Sequence, residues 1–132
     1  MDNYEKEIID LHQFFEDWFM GRVENTDATF ARFADVMAPT FHIVNPSGRL
    51  TARPALLQGL RSAHNTWTEG RIWIQNVQSR GQYDALSIVT YEEWQAIGES
   101  QGGRLSTVVF QADDAAINGV SWLHVHETWL PE

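Results

Sequence analysis

The sequence has no cysteine and only one lysine, Lys6, among its 132 residues. Without cysteine there is no disulfide framework, no thiolate nucleophile and no cysteine-ligated zinc or iron–sulfur centre. No apolar run approaches the roughly 20 residues that a membrane-spanning helix needs. The first ten residues also lack the basic and apolar regions of a secretory signal. These absences predict a cytoplasmic protein.

The common cofactor motifs are missing as well. There is no P-loop, no glycine-rich dinucleotide fingerprint, no G-x-S-x-G elbow and no H-E-x-x-H pair. We therefore expect neither a cofactor nor a metal ion.

Positive charge is scarce, with 9 Lys+Arg residues against 18 Asp+Glu and a formal net charge of −9. This excess of acid argues against nucleic acid or an anionic membrane as a partner. Nine of the acidic residues and three of the basic ones lie in residues 1–39. We interpret that concentration as the solvated outer face of helices.

Aromatic and apolar residues are plentiful, at 12% and 43% of the chain, and six residues are Trp. This content and the length predict one folded domain over residues 1–132. Apolar spacing and proline positions predict helices over 4–20, from Asp27 to Pro39, and from Pro54 to about 65. Alternating and β-branched runs predict strands over 41–45, 49–52, 71–80, 83–95, 104–111 and 121–130. The order indicates an α+β fold with three N-terminal helices packed on an antiparallel sheet.

The strands over 83–95 and 121–130 show no clean alternation of apolar and polar residues. Both of their faces therefore appear half buried, as expected if helices cover one face and a second subunit covers the other. We expect a homodimer through the outer face of the sheet.

Two segments carry a resemblance to a known superfamily: Phe41-His42-Ile43-Val44-Asn45-Pro46-Ser47-Gly48 and Trp122-Leu123-His124-Val125-His126-Glu127-Thr128. Together with the order of elements, they resemble the nuclear transport factor 2-like superfamily, in its SnoaL-like and ketosteroid-isomerase-like branches. The resemblance implies a strongly curved sheet that forms a cone around an internal pocket. The ending is also similar to the association domain of calcium/calmodulin-dependent kinase II.

The chain departs from the ketosteroid isomerases at two positions. Asn45 stands where those enzymes carry a catalytic aspartate, and an amide cannot accept a proton near neutral pH. Phe14 corresponds roughly to their carbonyl-polarising tyrosine and has no hydroxyl. The resemblance therefore implies no isomerase mechanism of that kind, and we expect Asn45 to orient a ligand instead.

Glu92 and Glu127 are the candidate catalytic residues, because each lies on a predicted strand among apolar neighbours. Desolvation in a dry cavity would raise the pKa of either carboxyl and suit it to acid/base chemistry. With the 104–111 strand between them, they would stand about 10 Å apart. The alternative is an ion pair with an arginine such as Arg104.

The remaining predicted roles follow if the strand faces that carry Glu92 and Glu127 point into the cavity. The predicted ligand-binding residues are Asn45, Phe14, Trp18, Phe41, Trp94, Val125 and Trp129. The resemblance implies that the outer, dimer-facing side carries Tyr91, Glu93, His124 and His126. His124 and His126 share one face as a metal pair would, but no third ligand is visible, and we expect packing at the interface. His12 and His64 lie on predicted helices without an identifiable partner.

Two functions are compatible with these features. The first is a small-molecule-binding protein, extending to an acid/base enzyme of the isomerase, cyclase or hydrolase class that acts on an apolar ligand. The alternative is a non-catalytic dimerisation or assembly domain like that of the kinase. The sequence leaves open whether the protein is an enzyme.

Overall fold

The structure is a computed structural model, and it describes residues 3–131. Helix α1 spans Asn3–Phe19 and buries one face, on which Ile8, Leu11 and Trp18 are almost completely shielded from solvent. Gly21 follows its last turn with a φ of +71°, a left-handed conformation that glycine adopts without steric cost. The predicted first helix and its end are thus confirmed.

Two shorter helices follow. Helix α2 spans Asp27–Ala34, and its N-cap is Thr26 rather than the predicted Asp27. The hydroxyl of Thr26 accepts a hydrogen bond from the backbone N–H of Thr29 at 3.2 Å. Helix α3 spans Arg53–Ser62 with Pro54 in its first turn, as predicted, where the missing N–H of proline has no consequence.

The predicted continuation of α2 to Pro39 is wrong, because the chain is already a strand from Met37. Strand β1 spans Met37–Val44, so Met37 is a strand residue that is buried. Its pairing with β6 is irregular between Met37 and His42. Pro39 lies in that irregular stretch, where no regular ladder hydrogen bond is required of it.

The sheet has six strands in the order β2-β1-β6-β5-β4-β3. The other strands are β2 Leu50–Ala52, β3 Arg71–Tyr83, β4 Leu86–Ile97, β5 Ser100–Ala112 and β6 Val120–Trp129. Strands β1 and β6 run parallel and all other neighbours run antiparallel. The sheet is therefore mixed rather than entirely antiparallel, and it is not closed.

The helices pack against one face of this sheet and enclose an aromatic core. Members of the core come from α1, α2, β1 and the inner faces of β4, β5 and β6. The α+β architecture with three helices on a curved sheet, predicted from the sequence, is confirmed. Among residues 3–131, no helix is long and apolar enough to cross a membrane.

Candidate functional site

A cavity of about 200 Å³ lies between the helices and the inner face of the sheet. Most of its wall is apolar, and four of its lining side chains can carry charge. The apolar wall includes Leu11, Phe15, Phe33, Phe41, Ile43, Leu60, Trp122 and Val125. The chargeable groups are His12, Glu93, Arg104 and Glu127. A polar cluster thus faces a largely apolar space.

The strand register brings the sheet-borne members of this cluster together. Tyr91 on β4 pairs with Ser106 on β5, which pairs with Glu127 on β6. In the next row, Glu93 pairs with Arg104. Because side chains two residues apart share a face, both rows point to the cavity.

His12 and Glu93 form a buried ion pair across the cavity wall. Nε2 of His12 lies 3.0 Å from Oε1 of Glu93, and Nδ1 lies 2.7 Å from the carbonyl oxygen of Ile8. Both partners are acceptors, so both ring nitrogens donate and His12 is the imidazolium. Neither nitrogen is left to take a proton from a ligand.

The pKa values of the pair agree with this assignment. Burial alone would lower the pKa of His12, but the charge and hydrogen bond of Glu93 raise it above its ordinary value of 6.5. Burial alone would raise the pKa of Glu93, but His12 and then Arg104 lower it to about 2. The side-chain amide of Gln95 also donates to Glu93, at 2.6 Å. The fold therefore favours the charged form of both partners.

Glu127 differs because, within residues 3–131, the one hydrogen-bond partner of its side chain is distant. Nη1 of Arg104 lies 3.3 Å from its Oε1, which is a long contact for a charge-assisted hydrogen bond. Burial raises the pKa of Glu127 above its ordinary 4.5, and the nearby charge of Glu93 raises it further. The attraction of Arg104 offsets only part of this rise. Glu127 is therefore the cavity carboxyl most able to bind and release a proton.

Two hydroxyls lie beside this carboxyl. Burial raises the pKa of Tyr91 well above 10, and the charges of Glu93 and Glu127 raise it further, so the phenol stays protonated. The buried hydroxyl of Ser106 lies between Tyr91 and Glu127 in the sheet, and its interaction with the phenol lowers the pKa of Tyr91 by less than burial raises it. Both groups offer hydrogen bonds near Glu127.

Three of the sequence-predicted site residues line the cavity: Glu127, Phe41 and Val125. The expected rise of a carboxyl pKa by desolvation is present at Glu127. The alternative partner named for it, Arg104, forms a contact with it, so the carboxyl has both features at once.

The predicted face of β4 is wrong. Glu92 and Trp94 lie on the outer face, where the Trp94 indole N–H donates to Glu92 at 2.9 Å and its ring stacks on Trp73. The amide of Asn76 also donates to Glu92, and these bonds lower the pKa of Glu92 instead of raising it. Glu92 therefore cannot face Glu127 across the cavity.

Tyr91 and Glu93 are correspondingly inside. They line the cavity and are 2% and 7% exposed, so they cannot contribute to an outer dimer face. His124 and His126 do lie on the outer face, together with His42, whose ring centroid is 4.7 Å from that of His124. Burial and the charges of the other two histidines lower the pKa of His124.

Four other predicted ligand-binding residues lie outside the cavity wall. The carboxamide oxygen of Asn45 accepts from the backbone N–H groups of Ser47 and Arg49, so it holds the β1–β2 turn. Phe14 and Trp18 stack on each other in the helical core, and the indole of Trp18 donates to a backbone carbonyl of α3. Trp129 lies at the end of β6 and is 58% exposed.

His12 and Glu93 were not identified as site residues from the sequence. One signal was available, since His12 lies one turn after Ile8 on the buried stripe of α1. A buried histidine on an apolar stripe requires a polar partner. Within residues 3–131, no group of three His, Asp or Glu side chains is arranged to hold a metal ion.

The fold and the cavity define the class of protein: a nuclear transport factor 2-like α+β cone. An NTF2-like protein of unknown function from Pseudomonas aeruginosa superposes with a TM-score of 0.87 at 27% identity, over 98% of this chain and 99% of that one. A second NTF2-like protein, from Rhodospirillum rubrum, gives 0.68 at 11% identity over 97% and 96%. The CaMKII hub of S. rosetta gives 0.60 at 15% identity over 78% and 86%. The last two likenesses concern the fold alone.

Within this class, the chain belongs to the sucrose-6-phosphate phosphohydrolase C-terminal family, whose sequence profile matches residues 4–131. Sucrose-phosphatase 1 of Nicotiana tabacum is 28% identical over 127 residues, which is 94% of this chain. A probable sucrose-phosphatase 2 of Arabidopsis thaliana is 27% identical over 128 residues, or 96%. The chain spans 30% of the length of these relatives. The SnoaL-like branch stays a prediction.

Proposed function

We propose that this domain binds a small uncharged sugar in the cone cavity, and that Glu127 is the group that hydrogen-bonds to it. The observation that carries the proposal is the incomplete pairing of Glu127, a buried carboxyl with a raised pKa on the wall of a cavity. Its oxygens keep hydrogen-bonding capacity that a ligand hydroxyl would use.

The composition of the wall supports a sugar rather than a purely apolar ligand. Sugars present apolar ring faces and hydroxyls, and the cavity offers aromatic rings beside carboxyl, amide and hydroxyl groups. The positive charges of His12 and Arg104 are balanced by Glu93 and Glu127, which gives no net attraction for an anion. The names of the sucrose-phosphatase relatives point to the same chemical class.

The same carboxyl is suited to catalysis. A raised pKa brings a carboxyl closer to the neutral range, where general acids and bases act. In an isomerase, cyclase or hydrolase reaction, Glu127 would transfer the proton. The His12–Glu93 pair would hold its charge and keep the cavity in shape.

The experiment is a nuclear magnetic resonance titration of the ¹⁵N-labelled protein with glucose and, separately, with fructose. We expect shifts at the side-chain amide of Gln95 and the backbone of Tyr91, Arg104 and Glu127. Glu127→Gln should weaken binding about tenfold, since one of the two acceptor oxygens of the carboxyl becomes an amide that cannot accept. Glu92→Gln is the matched control on the outer face of the sheet and should leave the affinity unchanged. Equal effects of the two variants, or no shift at cavity residues with either sugar, would contradict the proposal.

A second candidate function, dimerisation or assembly, is favoured by the outer face of the sheet. Its central rows run Ile88, Val109, His124, His42 and Thr90, Thr107, His126, Val44. These rows contain no acidic side chain, lysine or arginine, although the chain is strongly charged overall. A surface of this kind suits a second copy of the chain.

Mass measurement in solution tests this candidate. We expect the mass of a dimer for the natural sequence and of a monomer for Thr107→Arg, which places a charge at the centre of the face. Gln58→Arg places the same charge at an exposed position on α3, and this control should remain dimeric. A natural chain that is monomeric at all concentrations would contradict assembly through this face.

A further inference from the structure

The inner face of the sheet continues beyond the cavity into a surface groove of about 230 Å³. The groove lies at the ends of β4, β5 and β6. It is lined by Gln95, Ile97, Ser100, Gln101, Gly102, Arg104 and Trp129. None of the functional assignments above uses it.

Cavity and groove are adjacent and share two lining side chains. Gln95 and Arg104 line both spaces. The register explains this, because Gln95 pairs with Gly102, and Arg104 pairs with both Glu93 and Trp129. Each space alone is smaller than the roughly 300–1,000 Å³ of typical small-molecule sites, but together they reach that range.

Trp129 gives the groove a stacking surface. It is 58% exposed, although tryptophan is usually well buried. The guanidinium of Arg104 lies 4.9 Å from the centre of its ring and orients it. An exposed indole held by an arginine is a surface on which the apolar face of a sugar ring can pack.

Gly102 leaves the floor of the groove open. A Cβ atom placed there would meet nothing within 4 Å, whereas at the neighbouring Gly103 it would lie 2.8 Å from the ring of Trp94. The backbone of Gly102 is extended strand and needs no left-handed conformation. The backbone conformation therefore does not require glycine at position 102, and the missing side chain leaves space for a ligand.

We infer that the groove is a second subsite, so that the ligand is a neutral disaccharide with one ring in the cavity and the other against Trp129. This inference rests on the proposed function and extends it from one ring to two. Gln95 and Arg104 stand at the junction, where they can hydrogen-bond to the linkage and its neighbouring hydroxyls. Among the described residues that line the groove, Arg104 is the only one with a charged side chain, and it already contacts Glu127, so a phosphate ester gains little there.

The test compares sucrose with glucose and fructose in the same magnetic resonance titration, with Trp129→Phe used to assign the Trp129 indole signal. We expect sucrose to shift both the cavity signals and that indole, and the single sugars to shift the cavity signals alone. Gly102→Leu fills the groove and should weaken sucrose about tenfold while changing glucose and fructose less than about twofold. Gly59→Leu is the matched control, because a Cβ there also meets nothing within 4 Å and α3 lies away from the groove.

The outcomes separate the two proposals. If single sugars shift the cavity signals but sucrose never shifts Trp129, or Gly102→Leu leaves sucrose unaffected, the second subsite is wrong and the cavity proposal stands. If none of the three sugars shifts a cavity signal, the proposed function fails and the subsite fails with it. Sucrose 6-phosphate binding tenfold more tightly than sucrose would overturn the neutral class of ligand. A retained pattern of dispersed signals in Gly102→Leu shows that the variant is folded.

Discussion

Glu7 and Glu127 are both buried carboxyl groups, but their surroundings differ. Glu7, on α1, accepts four hydrogen bonds: two from Arg32 at 2.8 and 3.3 Å, one from Asn118 at 2.9 Å and one from the indole of Trp122 at 2.8 Å. Glu127, on β6, accepts one hydrogen bond from the described residues, from Arg104 at 3.3 Å. The first carboxylate is saturated with donors, and the second is not.

This difference indicates what each residue does. A buried carboxylate that is fully paired joins α1, α2 and the start of β6, so it serves the fold. A buried carboxyl left short of donors on a cavity wall is costly to the fold, and such cost is usual where a ligand binds. The Glu93 carboxylate is intermediate in its pairing, since it has one charged partner, His12, and one amide partner, Gln95.

The largest effect is expected from Glu7→Gln. The amide would present an N–H to donors that now meet a carboxylate, and Arg32 would lose its charged partner. We expect the free energy of unfolding to fall by about 4 kcal/mol, as for other broken buried pairs. Urea denaturation at pH 7 measures it, and a loss of less than about 1 kcal/mol would contradict the difference drawn between the two residues.

His12→Leu should have the next largest effect. It leaves the Glu93 carboxylate buried without its main partner, and we expect a loss of about 3 kcal/mol at pH 7. The double variant His12→Leu/Glu93→Leu should recover much of this loss, because neither charge of the pair is then buried. A double variant less stable than His12→Leu would contradict this expectation and would show that the other partners of Glu93, Gln95 and Arg104, dominate its contribution.

The stability of the natural chain should depend on pH through the same pair. The pKa of Glu93 is lowered to about 2 in the fold, so its contribution is present above about pH 4.5 and is lost as the pH falls toward 2. The pKa of His12 is raised above 6.5, so its contribution is present below pH 6.5 and is lost as the pH rises through the raised value. Thermal unfolding from pH 2 to 9 should therefore show the pair's full contribution between about pH 4.5 and 6.5. The difference between the natural chain and the double leucine variant isolates this contribution, and a constant difference would contradict it.

Glu127→Gln should have the smallest effect on stability. The pKa of Glu127 is raised in the fold, so ionisation is disfavoured there and the natural chain loses stability as the pH rises above about 4.5. Glutamine removes that loss, and we expect unfolding free energies within about 1 kcal/mol of the natural chain at pH 7, with the variant the more stable. Urea denaturation at pH 4 and pH 7 checks the sign, which would be reversed if the contact with Arg104 dominated.

Much of the fold could be predicted from the sequence because its local signals agree. The apolar stripe of α1, Pro54 at the start of α3 and the four long β-rich runs each indicate one structure. The sequence also gives the position of β5 between β4 and β6, which the structure confirms. The parallel pairing of β1 with β6 depends on long-range docking, which local patterns do not contain.

The inner face of β4 could not be chosen from the sequence. Both faces of this strand carry a glutamate and large apolar or aromatic residues, with Glu92 and Trp94 on one and Tyr91 and Glu93 on the other. Because successive side chains point to opposite faces, choosing the wrong inner face puts every residue of the strand on the wrong side of the sheet. The deciding contact is between Glu93 and His12, which are 81 positions apart. On β6, by contrast, Glu127 was assigned correctly to the inside.

The most direct test of the account is the titration of the Glu127 carboxyl by ¹³C magnetic resonance, with Glu127→Gln used to assign its signal. We predict that Glu127 titrates above 4.5 and that its pKa falls in Glu93→Gln, where the neighbouring negative charge is absent. A Glu127 that titrates below 4.5, and does not respond to Glu93→Gln, would be a carboxylate held by Arg104. That result would contradict its assignment as the ligand-contacting group of the cavity.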